Sequence, residues 1–163
     1  MNYHNITKDD MLNGDGLRVV LWVSGCTHHC HACHNPITWD LAGGIPFDEE
    51  AEKELFEALK PSHISGITFS GGDPLHPMNR EEVARLIRKF KKEFPNKTAW
   101  LYTGFLWEEI KDVDGISELD VLADGEFILD LKDEKAKWVG STNQRVIDVQ
   151  KTLETGEVVL HCK

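Results

Sequence analysis

At 163 residues the chain is long enough to bury one core but short of the roughly 250 residues of a complete eight-stranded β/α barrel, so one domain over residues 1–163 is expected. Twenty-eight acidic against 18 basic residues, a net charge of −10, argue against general binding to nucleic acid or an anionic membrane, whose phosphates would repel such a surface. No apolar run approaches the ~18 residues of a membrane span, and residues 1–10 lack the apolar core of a signal peptide, so a cytoplasmic protein is expected.

Residues 1–16 are polar and end in the turn Asn13-Gly14-Asp15-Gly16. The first predicted strand is 17–23, where Val19 to Val23 are apolar without alternation, as in a strand covered on both faces of a parallel sheet. Three of the four cysteines follow it directly, Cys26, Cys30 and Cys33, spaced C-x3-C-x2-C. In a reducing compartment such a cluster points to metal binding or catalysis rather than disulfides, and Cys162 reads as an incidental thiol. Two centres fit the spacing. Three thiolates can hold an iron-sulfur cluster with one iron left open to a substrate, or a zinc ion whose fourth ligand is one of His28, His29, His31 and His34.

Further along, residues 48–60 carry Ala51, Leu55, Ala58 and Leu59 at helical spacing behind an Asp48 N-cap. A second strand, 64–69, ends in Ser70-Gly71-Gly72-Asp73-Pro74. Asn79 with Glu82 three residues on reads as the capping box of a helix whose apolar stripe is Val83, Leu86, Ile87 and Phe90. A third strand over 98–103 closes at Gly104, a short helix covers 105–111, and a fourth strand, 119–123, ends at Asp124-Gly125. The charged stretch 130–137 reads as a loop or short helix. Residues 146–153 and 157–161 fit either a hairpin or one more β/α repeat. The alternation of strands and helices gives an α/β fold: an incomplete β/α barrel of about five to six mainly parallel strands, open along one side, with Trp22, Trp100 and Trp107 in its core.

The cysteine loop and the glycine turn thus fall at carboxyl ends of adjacent strands, the edge where β/α folds build their sites. Together they resemble the radical S-adenosylmethionine superfamily. The resemblance implies a [4Fe-4S] cluster on Cys26, Cys30 and Cys33, with S-adenosylmethionine chelating the fourth iron and the Gly71-Gly72-Asp73-Pro74 turn meeting its amino group. Within the superfamily the chain is similar to the glycyl-radical-enzyme activases, and among them to the compact activators of anaerobic ribonucleoside-triphosphate reductase. The similarity rests on Asn13-Gly14-Asp15-Gly16-Leu17-Arg18, Cys33-His34-Asn35, Thr38-Trp39-Asp40, residues 70–75, Asp124-Gly125 and Gly140-Ser141-Thr142-Asn143-Gln144-Arg145.

The activity it implies is reductive cleavage of S-adenosylmethionine to methionine and a 5′-deoxyadenosyl radical, which takes hydrogen from a glycine Cα of the reductase. A flavodoxin or ferredoxin is the implied electron donor. No side-chain acid–base pair is needed, because the cofactors carry the chemistry. The implied cofactor-binding residues are Ala32, Cys33, His34, Gly71, Gly72, Asp73, Asp124, Asn143 and Arg145, the last because a guanidinium suits a carboxylate bidentately. Ala32 stands where many relatives stack an aromatic ring on adenine, which passes that role to His34 or to backbone. A monovalent cation beside the cofactor would need carboxylates after the third and fourth strands, where this chain has Tyr102-Thr103 and Asp124.

Overall fold

The computed structural model describes residues 1–26, 40 and 42–161. Its strands are β1 (Asn2–Asp10), β2 (Leu17–Val23), β3 (Ile45–Pro46), β4 (Ile64–Gly71), β5 (Thr98–Tyr102), β6 (Val121–Asp124) and β7 (Arg145–Asp148); its helices are α1 (Glu49–Ala58), α2 (Arg80–Glu93), α3 (Trp107–Ile110) and α4 (Val149–Thr155). The strands form one sheet in the order β3-β1-β2-β4-β5-β6-β7. The α/β expectation stands, but the count and pairing of strands are corrected. Only the four central strands, β2-β4-β5-β6, run parallel, while β1, β3 and β7 pair antiparallel at the flanks.

Strand β1 is the element the polar N-terminus concealed. Its buried residues are Tyr3 and Ile6, and the register with β2 shifts between Tyr3 and Asn5. A bulge of this kind breaks the two-residue alternation that would mark a half-buried strand. The predicted C-terminal strand is shorter than expected. After β7, Asp148 accepts from the Lys151 N–H at 3.0 Å and caps α4, which ends at Gly156. The chain then returns beside β7 through the bonds Asp148 N–H to the Val159 carbonyl and His161 N–H to the Val146 carbonyl, each 2.8 Å. The return is not a hairpin, because α4 stands between the two paired segments, and β7 with α4 is not a further parallel β/α repeat, because β7 pairs antiparallel with β6.

Helix α1 has its Asp48 cap, with the Ala51 N–H donating to the carboxylate at 2.9 Å. Helix α2 buries Val83, Leu86, Ile87 and Phe90 as the 3.6-residue pattern requires. Asn79, however, makes no side-chain cap bond to it.

The two faces of the sheet are built differently. On one, Val19, Leu21, Val23, Ile67, Phe69, Ala99, Leu101 and Leu122 pack with Leu55, Leu86, Phe90, Trp107 and Ile110 from the helices into the main core. On the other, Trp100, Val121 and Val146 form a small separate cluster under Trp138 and Val139. Trp22 is half-buried there, its indole N–H donating to the Thr7 hydroxyl at 3.0 Å.

This second face also holds a charge. Arg18 is fully buried, donating from Nε to the Thr68 hydroxyl (2.9 Å), from Nη1 to the Asp15 carbonyl (3.0 Å) and the Thr98 hydroxyl (2.9 Å), and from Nη2 to the carbonyls of Ile67 (2.8 Å) and Thr98 (2.7 Å). Its guanidinium lies 5.4 Å from the Trp100 ring centroid. Burial lowers its pKa to about 10, which leaves it charged at neutral pH. Gly66 makes the room: a Cβ there would stand 2.8 Å from Arg18 Nη2 and 1.9 Å from the Thr98 carbonyl oxygen.

Replacing Arg18 takes a donor from the buried Thr68 hydroxyl and Ile67 carbonyl and from the partly buried Thr98, and each buried group so left costs about 1–3 kcal/mol. Arg18→Met is therefore expected to lower stability by about 3 kcal/mol or more in urea unfolding. Arg18→Lys, with one nitrogen in place of three, should recover only part of the loss.

Candidate functional site

Cys26 lies three residues past the end of β2, and Gly71-Gly72-Asp73 forms the end of β4 and the turn after it. The parallel register pairs Val23 with Gly71, and the pairing continues beyond the sheet. The Gly72 N–H donates to the Val23 carbonyl at 2.8 Å, and the Asp73 N–H to the Gly25 carbonyl at 2.7 Å. Backbone therefore ties the root of the cysteine loop to the glycine turn. Glycine is required at position 71, where φ is +105° and a Cβ would lie 2.5 Å from the Val23 carbonyl oxygen.

Asp73 is almost fully buried. Its Oδ1 accepts from the Thr103 hydroxyl (2.8 Å) and the Leu75 N–H (2.9 Å), and its Oδ2 from the Thr103 hydroxyl (3.0 Å) and the Gly104 N–H (2.9 Å). These bonds carry the turn across to the end of β5. Ser24 is held as firmly, its N–H bonded to the Asn2 carbonyl (2.9 Å) and its hydroxyl to the Gly43 carbonyl (2.8 Å).

Asp124, at the end of β6, is fully buried and faces the Arg145 guanidinium. Nε donates to Oδ1 at 3.1 Å and Nη2 to Oδ2 at 2.5 Å, while the Trp107 N–H reaches Oδ2 at 2.8 Å. Arg145 also donates from Nη2 to both carboxylate oxygens of Glu108, at 2.9 and 3.1 Å. The hydrogen bond to Asp124 raises the Arg145 pKa against the burial that lowers it. The charge of Asp124 is thus balanced within the fold, and the Thr103 hydroxyl is engaged by Asp73. Asn143 donates from Nδ2 to the Glu126 carbonyl at 2.8 Å. Gln144 accepts from the N–H groups of Gly140 (2.9 Å) and Ser141 (3.0 Å) and donates to the Gly125 carbonyl at 3.0 Å. These two amides fasten the segment after β6 to the start of β7.

A cleft of about 120 Å³ collects Cys26, Gly71, Gly72, Thr103, Gly104 and Gly125 at this edge. A second, of about 570 Å³, shares Ser70, Tyr102, Phe127 and Gln144 with it and runs along the second sheet face past Trp22 and Trp138. A larger cleft of about 790 Å³ lies at the amino edge, between Asp15, Lys97 and His161, with neither Cys26 nor the glycine turn in its wall. Of the residues singled out in the sequence, Cys26, Gly71 and Gly72 meet in one cleft, with Asp73 directly behind the turn. Asp124, Asn143 and Arg145 gather at the ends of β6 and β7. Cys30, Cys33, Ala32, His34 and Cys162 lie outside the described residues.

The described part fits the cluster and its cofactor: Cys26 stands in one cleft with Gly71 and Gly72, which carry no side chain of their own. Sequence reasoning overlooked Glu108, saw Thr103 only as a candidate cation position where its hydroxyl instead holds Asp73, and misassigned Asn79 as a helix cap.

Two substitutions probe this edge. Gly71→Ala combines a strained φ with a backbone clash, so it is expected to cost about 2–4 kcal/mol and to release the Gly72 and Asp73 amides to hydrogen exchange. Arg145→Met leaves a buried carboxylate unpaired, at about 3–5 kcal/mol in chemical unfolding, and adding Asp124→Asn should return part of that loss.

Residues 12–147 match the family described as a 4Fe-4S single cluster domain. The chain is 44% identical over 146 residues to the anaerobic ribonucleoside-triphosphate reductase-activating protein of Enterobacteria phage T4, covering 90% of this chain and 93% of that one. It is 40% identical over 150 residues to the protein of that name from Escherichia coli K12 (90% and 97% covered) and 41% identical over 148 residues to that of Vibrio cholerae (88% and 96%). With a match of this extent at both levels, the chain belongs to the family of anaerobic ribonucleoside-triphosphate reductase-activating proteins.

Proposed function

We propose that the chain activates an anaerobic ribonucleoside-triphosphate reductase by generating a glycyl radical on it. The observation that carries this reading is the pinning of the cysteine loop to the glycine turn, Asp73 N–H to the Gly25 carbonyl, at the carboxyl edge of adjacent parallel strands. When bound, a [4Fe-4S] cluster and S-adenosylmethionine would supply the one-electron reductive chemistry that generates the glycyl radical on the reductase.

The residues of the chain bind and orient. Cys26, Cys30 and Cys33 would hold the cluster, three thiolates being one fewer than a closed cluster takes. Gly71 and Gly72 offer bare backbone to the methionine end, with Asp73 fixing their turn. Ala32 and His34 belong to the residues that would bind the cofactor, with adenine stacking passing to His34 or to backbone. Asp124, Asn143 and Arg145 serve the cofactor by fixing the strand ends and the loop around it. The longer cleft on the second face admits the glycine-bearing segment of the reductase, since the helices leave that face uncovered. The chain works as one domain, 1–163, with its central strands as the wall of a partial barrel, in the cytoplasm and with a flavodoxin or ferredoxin as electron donor. No helix among the described residues is long and apolar enough to cross a membrane.

The test is anaerobic reconstitution with iron and sulfide, then reduction with and without S-adenosylmethionine, followed by electron paramagnetic resonance and assay of 5′-deoxyadenosine. A cofactor-dependent change in the cluster signal, deoxyadenosine formation and a glycyl signal on added reductase are expected, and each of Cys26→Ala, Cys30→Ala and Cys33→Ala should abolish all three. A colourless protein holding one tight zinc ion and no cluster would overturn the proposal.

A further inference from the structure

Asn79 precedes α2 and is fully buried, yet its side chain does not cap the helix. Its Nδ2 instead donates to the Ser24 carbonyl at 2.9 Å and to the Asp73 carbonyl at 3.2 Å. One amide group therefore joins the residue two before Cys26 to the glycine turn, across 55 positions of sequence. The other end of the same amide, Oδ1, is buried with no hydrogen-bond partner among the described residues.

That orphan is informative. A buried acceptor left unpaired costs about 1–3 kcal/mol, which offsets much of what the two donor bonds contribute. An apolar side chain of similar size would remove that cost but take the donor away from the buried Ser24 and Asp73 carbonyls. The part of the side chain this geometry uses is its two-pronged donor, spent on carbonyls of the two site segments rather than on the helix. Backbone pairing alone fixes Gly25 against Asp73, but it acts along one line. The Asn79 bonds add a second line, from α2, so that the thiol-bearing segment cannot pivot about the first. Its backbone is anchored in turn, since its N–H bonds to the His76 carbonyl at 2.7 Å and its carbonyl accepts from the Val83 N–H at 3.0 Å.

We infer that Asn79 is a positioning residue that sets the cluster-bearing loop against the cofactor-binding turn, acting through the Ser24 and Asp73 carbonyls. The inference rests on the function proposed above. It predicts a defect in how the cluster and S-adenosylmethionine engage each other, separate from folding and from cluster uptake.

The experiment compares the wild-type chain with Asn79→Ala, Asn79→Ser and Asn79→Asp. Each is reconstituted anaerobically, reduced and titrated with S-adenosylmethionine while the electron paramagnetic resonance signal is recorded, with iron content and thermal unfolding measured alongside. Asn79→Ala and Asn79→Ser are expected to fold and load a full cluster but to need about tenfold more S-adenosylmethionine for half-conversion of the signal, the scale on which outer-shell partners of metal sites act. Asn79→Asp keeps the size of the side chain and loses the donors, so it should do no better than alanine. Wild-type titration midpoints in the loaded variants, or restoration by aspartate, would overturn the inference while leaving the proposed function in place. Failure of all three variants to fold would assign Asn79 to the fold alone and overturn it too. A wild-type signal that ignores S-adenosylmethionine would instead bring down the function, and this inference with it.

Discussion

The parallel pairing of β2 with β4 does not stop where the sheet stops. It runs on through the Gly72 and Asp73 amides to the carbonyls of Val23 and Gly25, so two loops distant in sequence begin from one hydrogen-bonded frame. Everything else at this edge follows from that frame. The turn can carry no side chain at position 71, because β2 backbone lies against it. The carboxylate at 73 is turned away from the cleft into a nest of donors from β5, which fixes the turn laterally. Asn79 then closes the arrangement from the helix side.

Charge is handled locally in a protein that is acidic as a whole. At the carboxyl edge the buried Asp124 meets Arg145, which in turn reaches Glu108 at the surface. Toward the amino edge the buried Arg18 finds no carboxylate within hydrogen-bonding distance among the described residues and is solvated by carbonyls and hydroxyls of three neighbouring segments. A guanidinium tolerates this because its five donors form a fixed fork that such acceptors can surround. The same bonds lock β2, β4 and β5 together on the face that the helices leave bare.

Much of this was legible in the sequence where one local rule governed the outcome. The unbroken apolar run of β2, the stripe of α2 and the Asp48 cap each gave their element, and glycines at strand ends marked the site edge. Reading failed where a second constraint intervened. The bulge in β1 spaced Tyr3 and Ile6 three apart and erased the strand period. Asp148 capped α4 inside what looked like a continuous strand, since Val149 and Thr152 are buried in either conformation. Asn79 had the spacing of a helix cap but was taken up by tertiary partners, and nothing near it in sequence signals Ser24. For the same reason the pairing of Arg145 with Asp124 could be seen only once β6 and β7 were known to be antiparallel neighbours.

The unequal covering of the two sheet faces has a consequence for motion. All four helices contribute to or border the main core on one side, while the other face carries only a three-residue cluster beneath the Trp138-Val139 segment. Lifting that segment exposes little apolar surface, so the free energy of such an opening lies far below that of global unfolding. Residues 126–144 therefore open at lower cost than β2 and β4, whose residues are buried in the sheet. Local opening on the bare face thus leaves the strands beneath it at full stability, so looseness and rigidity are assigned to opposite sides of the same sheet.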